Sequence, residues 1–205
     1  MKPANLHALL LTAICFTALT PVAVSQTASL NAAGSKSIPA RFQEMNGTWN
    51  VEQRMWPSSE ATPIDLPSAV AHRRLMSGGF LEEAMELPSG SKQEPFTRVA
   101  YFNYNSVNQQ YEYFSLDSRA PQMMNEKSYG DGIEGDVENK GAVILYGGVF
   151  VAPTWGNAKD AAFRYRLTIG EVKKEREVIR LYLTPLSAEN AKEFLAFEYV
   201  YTRRN

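Results

Sequence analysis

Asn46-Gly47-Thr48-Trp49-Asn50-Val51 is where this chain changes its periodicity. Before it, Ile38, Phe42 and Met45 recur at helical spacing, so one face of residues 38–45 is apolar. Ser37 stands as an N-cap, Pro39 sits in the first turn, and Asn46-Gly47 supplies the ordinary helix stop. After it the period is two: Trp49, Val51, Gln53 and Met55 alternate with Asn50, Glu52 and Arg54. The stretch therefore joins a short helix to the first strand of a β-rich domain.

Downstream, the pattern repeats. Residues 57–67 read as a loop, and 69–76 as a second strand. Further runs at 80–87, 96–104, 110–116, 123–129, 133–137, 142–150, 163–170, 177–183 and 194–202 are strand-like, many of them rich in Tyr, Phe and Val. Tyr129-Gly-Asp-Gly132, Asn139-Lys-Gly141 and Gly170-Glu171 have hairpin chemistry. Residues 187–192 have the composition of one helical turn. About ten short strands joined by hairpins, with no long helix between them, exclude βαβ units and leave a sandwich or an up-and-down barrel.

The front of the chain has a different character. Lys2 precedes an uncharged, mostly apolar run at 8–19, then Pro21 and Ala23-Val24-Ser25. This is the order of a signal peptide cut after Ser25, and the run is too short to span a bilayer. Ile14 before Cys15 is too large for a lipidation site, so Cys15 reads as one more small hydrophobe. Residues 26–37 are small and polar and read as a linker, leaving a folded domain at 38–205. About 180 mature residues suit one domain with a sizeable core. The expected destination is periplasmic or secreted, with no stable membrane insertion after cleavage. Cleavage removes the only cysteine, so neither a disulfide nor thiol chemistry is available to the mature chain. A formal charge of −1, and no basic cluster, exclude a nucleic-acid footprint.

A Gly-x-Trp that enters the first strand after a short helix resembles the opening of lipocalin-like (calycin) barrels. Three further segments extend the likeness: Met76-Ser-Gly-Gly-Phe-Leu81; Tyr104-Asn105 with Tyr111 and Leu116-Asp-Ser118; and the terminal Tyr201-Thr-Arg203. In this order and spacing the chain resembles the bacterial family called domain of unknown function 1579, whose members look like calycin barrels. The likeness covers most of 44–203. Gly79, Asn103 and Asn105 stand where the family usually has Arg, Gly and Asp. The resemblance implies an all-β, antiparallel up-and-down barrel of about ten strands with a short N-terminal helix. It also implies a closure in which Gly47 makes the tight turn, Trp49 plugs one end and Arg203 lies over the Trp49 ring.

Such a barrel encloses room for one small ligand. The candidate pocket residues are His72, Glu82, Tyr101, Tyr113, Arg180 and Tyr199. Tyr offers an apolar ring with a polar tip. Arg180 stands among apolar neighbours, and one inward Glu and Arg from Arg73, Arg74, Glu82, Glu83 and Glu86 would mark a polar subsite. His72 is the sole His of the mature chain, and the bland alternative is a half-exposed strand residue. Some calycin-like barrels hold haem through a His near the chain's end, and 194–205 contains none. With one His and no Cys, no metal or other cofactor is expected. Residues 130–136 lack the ligand spacing of an EF-hand, and Asp117-Ser118 reads as a turn cap. Three functions stay open at this point. One is binding of a small apolar or amphipathic molecule. Another is an enzyme with His72 as acid or base and Glu82 or Glu83 as its partner. The last is an envelope structural or interaction protein with a filled barrel. Neither ligand identity nor oligomeric state is legible here.

Overall fold

The computed structural model describes residues 40–120, 123–128, 142–155, 158–173, 175–187 and 191–205. The expected signal peptide and linker, the strand at 133–137 and the 130–136 turn lie outside them. Among the described residues there is one helix, α1 (Ala40–Met45), followed by ten strands. These are β1 (Gly47–Met55), β2 (Ile64–Leu75), β3 (Leu81–Glu86), β4 (Thr97–Asn105), β5 (Gln110–Asp117), β6 (Met124–Lys127), β7 (Val143–Trp155), β8 (Ala158–Lys173), β9 (Arg176–Pro185) and β10 (Phe194–Arg203). Each pairs antiparallel with its sequence neighbour, and β1 pairs with β10, so the sheet closes. The up-and-down barrel expected from the sequence is the fold observed.

The opening stretch builds the floor. Asn46 N–H donates to the Phe42 carbonyl at 3.2 Å and ends α1. Gly47 turns the chain at a φ of 127°, a backbone region that strains any residue with a Cβ. A Cβ there would also lie 2.7 Å from Arg203 Nη1. That space is needed because Arg203 donates to the Asn46 carbonyl at 2.9 Å and to the Glu44 carbonyl, with its guanidinium 4.2 Å from the centre of the Trp49 ring. Trp49 is fully buried, and its indole N–H donates to the Met45 carbonyl at 2.9 Å. One cation and one indole thus tie the first strand, the last strand and the helix together. Phe42 packs on Phe102 and Tyr111 and seals the same end.

Strand parity sets the rest of the interior. Along β2, Ala69, Ala71 and Arg73 are buried, whereas His72 and Arg74, of the opposite parity, are exposed. The same alternation buries Leu81, Glu83 and Met85 on β3, and Arg98, Ala100 and Phe102 on β4. The bounds of three strands differ most from the sequence reading. β2 begins at Ile64, so Pro67 lies in a strand and not in a loop. The register shifts between Val51 and Gln53 opposite it, and a bulge tolerates a residue without an N–H. The Pro67 carbonyl accepts from Gln53 Nε2 at 2.6 Å. β7 and β8 run beyond the expected 142–150 and 163–170 and pair out to Trp155 and Ala158.

Candidate binding site

The interior is layered. Above the floor lies a charged layer built from four strands. Arg73 Nε donates to Glu83 at 2.8 Å, and its two terminal nitrogens take both oxygens of Glu177 at 2.7 and 3.0 Å. Arg98 donates to Glu83 and to the Tyr113 hydroxyl. The Tyr201 hydroxyl adds a bond to Glu83 at 3.3 Å, and Arg73 stacks 4.1 Å over the Tyr201 ring. All these groups are buried. Burial alone would raise the Glu83 carboxyl. Arg73 and Arg98 beside it win, and hold it below its ordinary range. Tyr113 and Tyr201 are pushed above the ordinary phenol range, chiefly by burial. The cavity among Met45, Arg73, Leu81, Glu83, Ala100, Phe102, Tyr113, Ile169 and Ile179 is about 10 Å³. That holds about one water molecule, so the closed half of the barrel is filled by its own side chains.

Glu126 lies beside this layer, directly opposite Tyr113 in the β5–β6 pairing. It is the inward residue of the short strand β6 and is fully buried, and among the described residues neither carboxylate oxygen has a hydrogen-bond partner. Burial pushes it up to about 8, with Arg98 acting against the shift. It is therefore mostly neutral at pH 7. β6 pairs with β7 at only two positions, Glu126 with Gly147 and Lys127 with Tyr146. The register of β7 against β8 then shifts between Tyr146 and Val149. Tyr165 of β8 lies across Gly147, where a Cβ would fall 2.0 Å from its ring atoms. Its hydroxyl bridges to the Asn125 N–H and carbonyl, both at a long 3.4 Å.

The end opposite α1 is aromatic on the β7–β10 side. Phe150 stacks on Phe163 at 5.5 Å and meets Tyr165 edge-on at 6.1 Å. Trp155 meets Phe163 at 5.9 Å and Phe197 at 5.6 Å, and Phe197 stacks on Tyr199 at 6.0 Å. Phe150, Trp155, Phe194, Phe197 and Tyr199 remain only half-buried. The Trp155 indole N–H is itself buried without a partner among the described residues. Arg98 lies 5.4 Å from the centre of the Tyr199 ring, so the charged layer forms the floor under these rings. On the opposite side Arg119 reaches from beyond β5 to Gln53 at 3.3 Å and lies 3.7 Å over Phe96, covering that part of the end.

Of the pocket residues expected from sequence, Tyr113 and Tyr199 point inward and are brought together by Arg98. The other four are corrected to the outer face. His72 is more than half exposed, 3.4 Å from Thr48 Oγ1 and 3.9 Å from Glu86. Glu82 accepts from Arg74 at 2.6 Å and from the Tyr101 hydroxyl at 3.3 Å. Arg180 shares Glu198 with Arg54 on the outside, at 2.8 and 2.7 Å. The parity of Val178 and Tyr182 carries Arg180 outward, while Ile179 and Leu181 fill the core. His72 meets neither Glu82 nor Glu83, so the acid–base pair of the enzyme reading does not form. Gly47, Trp49 and Arg203 stand where the sequence placed them. Asp117 caps its turn as expected, accepting from the Arg119 N–H at 2.9 Å. Sequence reading missed Arg98, Glu126 and Glu177. Arg98 shares parity with Phe96, Ala100 and Phe102, and Glu177 with Ile179 and Leu181, which is the signal that would have found them. No group of residues that could hold a metal ion occurs among the described residues, and none of their helices is long and apolar enough to cross a membrane.

A family model described as protein of unknown function (DUF1579) matches residues 37–203, the whole of the barrel. No curated protein matches the chain.

Proposed function

Since the chain belongs to the DUF1579 family, whose description carries no activity, we propose from geometry that it is an exported binding barrel. Its ligand is a small apolar or amphipathic molecule, held against the aromatic rings at the end opposite α1. One observation carries this reading: Phe150, Trp155, Phe197 and Tyr199 belong to the interior ring cluster yet are only partly buried. Burying such rings against a ligand yields about 25 cal/mol per Å² of apolar surface removed from water. The floor is wholly occupied, so the ligand sits high in the barrel.

Native mass spectrometry of the protein purified from its own host tests this. A stoichiometric extra mass is expected, released on denaturation and lost from a Phe197→Ala, Trp155→Ala variant that keeps its β-rich circular dichroism. An apo mass would refute it if that variant also bound added apolar amphiphiles as well as the wild type does. A second reading, a filled structural barrel, is favoured by the cavity of only about 10 Å³ among Arg73, Glu83 and Tyr113. The same apo result would favour that one.

A further inference from the structure

The Glu126 carboxyl makes no hydrogen bond among the described residues. A buried carboxyl whose two oxygens find no partner forgoes hydrogen bonds it would make in water, a loss native proteins rarely accept without a return. Around it stand Arg98 from β4, Tyr113 from β5 and Tyr165 from β8. Arg98 is already committed to Glu83 and Tyr113, and makes no hydrogen bond to Glu126. Tyr165 spans from the Glu126 neighbourhood to the ring cluster, through its edge contact with Phe150. Its hydroxyl bonds to Asn125 are long, and it stands at the seam where β6 and β7 share two residue pairs among the described residues. Bonds of 3.4 Å are weak, so displacing the hydroxyl from Asn125 costs little hydrogen-bond energy.

We infer that Glu126 is the polar anchor of the ligand site and that the ligand is an amphipathic amine. This rests on the binding reading above and names its chemistry. The apolar body lies against Phe150 and Trp155. The ammonium reaches past a displaced Tyr165 and pairs with the carboxylate. The surrounding phenol and phenyl faces favour a cation. An anionic ligand would face Glu126 and Glu83 with no free guanidinium, since both Arg73 and Arg98 are taken. The proton balance is definite. A neutral carboxyl plus an ammonium ion gives a carboxylate–ammonium pair, and the proton leaves to buffer.

The test is calorimetric titration of the mature protein with 2-phenylethylamine and with 2-phenylethanol, which share one body. The runs are repeated at about pH 7 in two buffers of different ionisation enthalpy. The amine is expected to bind at least tenfold tighter and to release close to one proton. In Glu126→Gln the amine should fall to the affinity of the alcohol, while the alcohol binds as before, which also reports an intact fold. Equal affinities without proton release would overturn the amine assignment and leave the aromatic site standing. So would a preference that survives in Glu126→Gln. Failure of both probes to bind at millimolar concentration would overturn the aromatic site and the anchor together.

Discussion

Replacing Glu126 by Gln should change how stability depends on pH, and its size follows from the site. Burial raises the folded-state carboxyl from an ordinary 4.5 to about 8. A carboxyl raised on folding contributes stability that is fully present below about pH 4.5. That contribution is lost as pH rises through about 8, because the unfolded chain ionises freely while the native one does not. At about 1.4 kcal/mol per pH unit, the full loss is roughly 5 kcal/mol, and about 3 kcal/mol is already gone at pH 7. Gln is neutral throughout and keeps the shape, so it lacks this slope. Urea unfolding of both proteins, at intervals between about pH 4 and pH 9, isolates the effect as a difference. Groups common to both, Glu83 among them, cancel. The variant is expected to gain on the wild type by about 1 kcal/mol or more per pH unit between pH 5 and 8. A difference that stays flat across that window would mean that Glu126 ionises at its ordinary value. The carboxyl would then be hydrated or paired, and the argument from its missing partners would fail.

Other substitutions test other layers. Arg73→Met strands Glu177 in the interior, while Glu83 keeps Arg98 and Tyr201, and should cost about 3–5 kcal/mol of unfolding free energy, whereas Arg74→Met on the exposed pair with Glu82 should cost under about 1 kcal/mol. Gly47→Ala meets both a φ of 127° and the Arg203 guanidinium, and should lower the urea midpoint by an amount equivalent to about 1–3 kcal/mol. Gly147→Ala drives a methyl into the Tyr165 ring and should speed hydrogen exchange at Asn125 and neighbouring β6 amides, while amides of β1 and β10 keep their protection. His72→Ala, on the outer face, should leave stability within about 0.5 kcal/mol of the wild type, and any ligand mass unchanged in native mass spectrometry.

The parts of the fold legible in the sequence are those fixed by local pattern. Alternation gave the strands, and Asn46-Gly47 gave the helix stop. The Trp49–Arg203 closure was readable because Arg203 continues the parity of Tyr199 and Tyr201 toward the other end of the chain. Pro67 was misread as loop because a proline in a strand depends on a bulge in its neighbour, and the shift between Val51 and Gln53 leaves no mark in the residues around Pro67. Glu82 was favoured over Glu83 although Leu81, Glu83 and Met85 form one alternating set. A charge in an apolar set looks like an interruption of the inward face when it is in fact a member of it.

Why such charges stand inward is a matter of partners distant in sequence. Arg73 and Glu177 are 104 residues apart, and Glu83 and Tyr201 are 118 apart. No window of sequence contains both members of either pair. A buried ion network is a poor source of net stability, since apolar residues of the same volume serve as well or better. Its consequence here is register. Slipping β2 or β9 by one residue would carry Arg73 or Glu177 to the outer face and strand the other inside. The network therefore holds four strands in one alignment while filling the closed half of the barrel. Rings at the other end then stand over a rigid polar floor. Glu126 stands beside Tyr113 of that floor but is not hydrogen-bonded into the network, which is why its lack of a partner points toward a ligand rather than toward the fold.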